Sequence, residues 1–144
     1  MLCRSVAASF ACKILTQESL LDLLFVGHEA FCFTAGRGLG QADQMLEILA
    51  SVRANTGQKY STLESLVLEH ARSVSGVVCV LLAWDAPRRT FVRKLQAMGV
   101  PVLALVLVPG GEGAALDAVM LRDGPERFVT LELGRIEQDL AKLR

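Results

Sequence analysis

The chain has 144 residues, enough for one domain with a real core. Apolar residues make up 52% of it and the mean hydropathy is +0.42, yet the longest apolar runs, Val77–Trp84 and Val100–Val108, are far too short to span a membrane. Fifteen basic and 15 acidic residues cancel, and no basic stripe is interleaved with aromatics, which argues against nucleic acid as the main partner.

The N-terminal stretch carries one Arg, apolar residues and a small residue before Cys12, a faint lipoprotein-signal pattern. Phe10 is bulky for a cleavage site, however, and Val6, Phe10 and Ile14 recur at helical spacing, so a helix over Arg4–Leu15 is expected. Asp22–Val26 and Ala30–Thr34 read as short apolar strands. The turn-like Gly27-His28-Glu29 between them is too short for anything but an antiparallel hairpin. A glycine-rich loop, Ala35–Gly40, leads into a helix over Gln41–Arg53. Ala42, Met45, Leu46, Leu49 and Val52 form its apolar face; Asp43, Gln44, Glu47 and Ser51 face water.

Ser61-Thr62-Leu63-Glu64 has the form of a capping box and opens a helix that runs to Ser73. Val77–Trp84 is an apolar strand that ends in Asp85. Pro87 suits the first turn of the next helix, Pro87–Met98, where its missing N–H costs nothing. Gly99 is the expected stop and Pro101 prevents continuation. Val102–Val108 is the next strand, and its unbroken apolar run predicts burial on both faces. Pro109–Gly124 reads as mostly irregular. Phe128–Leu133 is a last strand, and Ile136, Leu140 and Leu143 mark a closing helix. With no repeat or linker, residues 1–144 read as a single α/β domain. Its second half alternates strand and helix, which gives a parallel sheet with right-handed crossovers.

Sites on such sheets lie at the carboxyl ends of the strands. Asp85 is there, either as a cation-binding carboxylate or as a helix-entry carboxylate. Thr62, at the start of another helix, offers a hydroxyl that is a weak ligand without carboxylates around it. Arg88 and Arg89, with Arg93 and Lys94, make a basic helix face that either is solvated or meets an acidic partner. Gly36, Gly38 and Gly40 lack the dinucleotide spacing and the strand–helix context. His28 and His70 have no nucleophile or carboxylate partner in view. The four cysteines, Cys3, Cys12, Cys32 and Cys79, lie far apart without a C-x-x-C pair, as reduced thiols of a cytoplasmic protein would.

In order, the stretches SVAASFA, DLLFVGHEAFCFTAGRG, QMLEIL, YSTLESLVLEHA, VVCVLLAWDAP, KLQAMGVPVLALVLV and LRDGPERFVTLEL span nearly the whole chain. Together they resemble a von Willebrand factor A domain, more narrowly the bacterial family known as domain of unknown function 58. The resemblance implies a three-layer Rossmann-like fold with a mostly parallel sheet and one antiparallel edge strand. It also implies a metal-ion-dependent adhesion site. Thr62 matches the second loop of that site and Asp85 the third. The first loop, Asp-x-Ser-x-Ser, has no counterpart, and the chain reads as starting just after the first, central strand. Mg²⁺ binding is therefore expected to be weak at most. The implied role is non-catalytic protein interaction or assembly, often beside a MoxR-type AAA+ ATPase, in a family whose longer members carry membrane segments. The competing expectation is a small-molecule-binding or hydrolytic enzyme of flavodoxin-like shape. A central strand's absence leaves two outcomes, direct pairing of Asp22–Val26 with Val77–Trp84 or an open seam; with the apolar composition and zero net charge, an open seam predicts a homo-oligomer that covers Val77–Trp84.

Overall fold

The computed structural model describes residues 4–9, 21–26, 30–35, 39–53, 57, 59–123 and 127–143. It is an α/β structure in two compact units, Met1–Val67 and Leu68–Arg144.

The first unit holds a helical segment α1 (residues 4–9), the strands β1 (Leu21–Val26) and β2 (Ala30–Ala35), and the helix α2 (Leu39–Ser51). The helix α3 (Tyr60–His70) begins in it. The hairpin forms as its short connection requires, with Leu21 opposite Ala35 and Val26 opposite Ala30. Asp22 and Thr34 are direct cross-strand partners, and the Thr34 hydroxyl donates to Asp22 Oδ1 at 2.6 Å. Met45 and Leu49, from the expected apolar face of α2, are buried and pack with Phe33, Ala7 and Ala8. The polar face, Asp43, Gln44, Glu47 and Ser51, is exposed as its spacing predicts. Arg4 donates to the carbonyls of Ala50 and Val52 at 2.8 and 2.6 Å, satisfying groups that the end of α2 leaves open.

The second unit runs through β3 (Val77–Leu81), α4 (Ala86–Ala97), β4 (Val102–Val108), α5 (Gly113–Asp123), β5 (Arg127–Glu132) and α6 (Ile136–Ala141). Its sheet is all parallel, with β4 between β3 and β5 and helices flanking it, a Rossmann-like layout. Val102, Ala104, Leu105, Val106 and Leu107 of β4 are all buried, so the apolar run does have both faces covered. Phe91, Val92 and Leu95 of α4 are buried as well, each contributing about 1.5–3 kcal/mol. Gly99, at φ 76°, ends α4 as expected. Its N–H donates to the Gln96 carbonyl at 2.9 Å and that of Val100 to the Leu95 carbonyl at 3.2 Å, a complete Schellman closure.

Four expectations need correction. The strands form two ladders, β1–β2 and β3–β4–β5, among the described residues, where one mixed sheet with an antiparallel edge was expected. Residues 113–123 form a full helix inside the segment read as irregular. The two neighbouring glycines, Gly110 and Gly111, hid it, yet they belong only to the turn before the helix. The strand read as reaching Trp84 stops at Leu81. Ser61 is not a cap: α3 already starts at Tyr60, and the Thr62 N–H donates to the Lys59 carbonyl at 3.0 Å. Of the helix expected over Arg4–Leu15, residues 10–15 lie outside the described residues, as do Cys3, Cys12, His28, Gly36 and Gly38.

Candidate functional site

Because β3, β4 and β5 are parallel, their carboxyl ends share one edge of the sheet. The connections that leave it begin at Leu82, Pro109 and Leu133. β3 and β5 are about 10 Å apart across β4, two strand spacings.

At the first connection, Asp85 adopts an extended backbone (φ −95°, ψ 176°) and caps α4. Its Oδ1 accepts the Arg88 N–H at 3.2 Å, and its Oδ2 forms an ion pair with the Arg88 guanidinium. Pro87 sits in the first turn, as its missing donor allows. The cap contributes about 1 kcal/mol, and the half-exposed ion pair at most about 1 kcal/mol more.

At the second connection, the cap comes from another strand. Glu132, the last residue of β5, accepts the Gly113 N–H on Oε1 at 2.9 Å and the Gly111 N–H on Oε2 at 3.4 Å. The carboxylate therefore rests on the positive end of α5. A Cβ at position 113 would stand 2.3 Å from Glu132 Oε1 and 2.9 Å from Glu132 Cγ, so this fit depends on glycine. Gly111 has φ 87°, a left-handed conformation that glycine adopts without strain.

Behind Glu132 lies Asp139 of α6, only 3% exposed. Its Oδ2 accepts the Glu132 N–H at 2.9 Å and its Oδ1 the Lys142 ammonium at 2.7 Å. Burial pushes this carboxyl upward, but the hydrogen bonds from Lys142 and Glu132 and the charges of Lys142 and Arg135 outweigh it. The group stays below the ordinary carboxylate value. On the face covered by α5, the buried Thr130 hydroxyl donates to Asp117.

Leu82 and Leu133 stand out at this edge, 64% and 41% exposed, with Pro109 exposed between their strands. Cys79, inside β3, is unsuited to nucleophilic work: burial pushes its thiol up to about 12. The Cys32 thiol is also raised, by burial and then by the charge of Asp22. Among the described residues no three His, Cys, Asp or Glu side chains are grouped to hold a metal ion.

Asp85 thus stands at the carboxyl edge, as its sequence position predicts, and Arg88 is brought to it. Arg89 is half-buried, whereas Arg93 and Lys94 are exposed. Thr62 is half-buried in the first turn of α3 and belongs to the first unit, while Asp85 belongs to the second. Sequence reasoning missed Glu132, Asp139 and Asp117. Glu132 meets Gly113, Asp139 the Glu132 N–H and Asp117 the Thr130 hydroxyl across 19, 7 and 13 residues, and of their contacts only Asp139 with Lys142, three residues on, is local. No helix among the described residues is long and apolar enough to cross a membrane. No protein-family model, no curated protein and no solved structure matches this chain.

Proposed function

We propose that this chain is a non-catalytic protein-binding module of the von Willebrand A type. Its partner docks at the carboxyl edge of the parallel sheet, around Leu82, Asp85 and Leu133. One observation carries the reading over a flavodoxin-like enzyme. Enzymes that hold phosphate groups on such an edge use open helix N-termini, where free N–H groups and the helix dipole meet the anion. Here the chain's own carboxylates fill two of the three helix starts at this edge, Asp85 on α4 and Glu132 on α5, and the third, α6, is a helix of only six residues. What the edge still offers is exposed apolar surface at Leu82 and Leu133, the kind of contact a protein partner covers.

Within this reading the resemblance supplies a MoxR-type AAA+ ATPase as the partner class, and the scattered cysteines suit the cytoplasm as the compartment. Thr62 and Asp85 belong to different compact units and are taken separately, each as a lone oxygen donor. Mg²⁺ is expected to bind Asp85 in the millimolar range at best, since hard cations want about six oxygens and Asp85 already holds Arg88. Self-association covers the β3 region, where Val78 is 39% and Leu82 64% exposed.

Titration with inorganic phosphate and with ATP, followed through the amide resonances of Arg88, Gly111 and Gly113, tests the choice. No saturable shift is expected. Saturable binding at those amides would overturn the binding-module reading in favour of the enzyme. Sedimentation of the wild type and of Leu82→Glu separates the kinds of partner. Association weakened by the substitution is the expected result, whereas a wild type that stays monomeric at high concentration removes the self-association.

A further inference from the structure

We draw no further inference here: the strongest candidate, the apolar patch of Val78, Leu82 and Leu133 along β3 and the carboxyl edge of the parallel sheet, belongs to the site already described, and nothing in the structure shows what else covers it.

Discussion

The first two strand-to-helix junctions of the parallel sheet solve one problem by opposite means. Each must satisfy the open N–H groups of a helix start. At β3–α4 the answer is local: Asp85 reaches the N–H of Arg88, three residues on. At β4–α5 the local residues are Gly110, Gly111, Glu112 and Gly113, and the answer comes from Glu132, 19 residues beyond Gly113. The first junction is complete once its own dozen residues are helical. The second is complete only when β5 has docked beside β4. A local cap stabilises one helix; a distant cap ties helix, loop and strand into one unit, so its loss spreads further.

The largest effect is expected from a change that both junctions share. Leu105 is fully buried in β4, and Leu105→Ala should cost about 2–5 kcal/mol and shift the urea midpoint with α4 and α5 still melting together. Separate melting of the two helices, read by hydrogen exchange, would break the picture of one sheet holding both.

Next comes the distant cap. Glu132→Ala should destabilise the unit by about 1–3 kcal/mol, because the Gly111 and Gly113 donors lose their partner. Gly113→Ala should fall in the same range, since the added methyl displaces the same carboxylate. If the two losses added fully in the double variant, they would not be acting on one contact.

The local cap should matter less. Asp85→Ala is expected to cost about 0.5–2 kcal/mol and to speed amide exchange in the first turn of α4, leaving α5 untouched. Faster exchange at Gly113 in this variant would contradict the independence of the junctions.

The smallest effect at neutral pH concerns Asp139. Its folded-state pKa lies below the ordinary 3.8, so the unfolded chain takes up this proton first as the pH falls. The stabilisation is therefore fully present above about pH 4 and is lost as the pH drops through the folded value. Acid titration of stability should show a shallower slope below pH 4 in Asp139→Asn than in the wild type. Equal slopes would mean that the Lys142 and Glu132 contacts do not hold the carboxylate.

These junctions also mark what could be read in advance. The Pro87 entry and the Gly99 stop were legible, because each rests on residues a few positions apart. The amphipathic face of α2 was legible for the same reason: Met45 and Leu49 follow helical spacing. The helix α5 was not. Its outward side shows Ala114, Ala115, Ala118 and the exposed Leu121, which blurs the contrast between faces. Its inward side is fixed by Asp117 meeting Thr130 and Gly113 meeting Glu132, both long-range contacts. At Ser61 a true local pattern misled, because α3 begins one residue earlier, at Tyr60, which puts Ser61 inside the helix.

The candidate site divides along the same line. Asp85 at the end of an apolar strand was visible as a residue type in a telling place, but its capture by Arg88 and its helix-capping role needed coordinates. Glu132 carried no local signal, and Asp139 only its i,i+3 spacing to Lys142. The sequence by itself determined the hairpin that a three-residue connection forces, the burial of the Val102–Val108 run, and most of the elements but not α5, since periodicity, turn chemistry and hydrophobicity act over a few residues. Only the tertiary structure decided which strands share a ladder and which carboxylate completes which helix. Those choices depend on pairings between distant segments, and a chain encodes no local preference for a partner it meets only after folding.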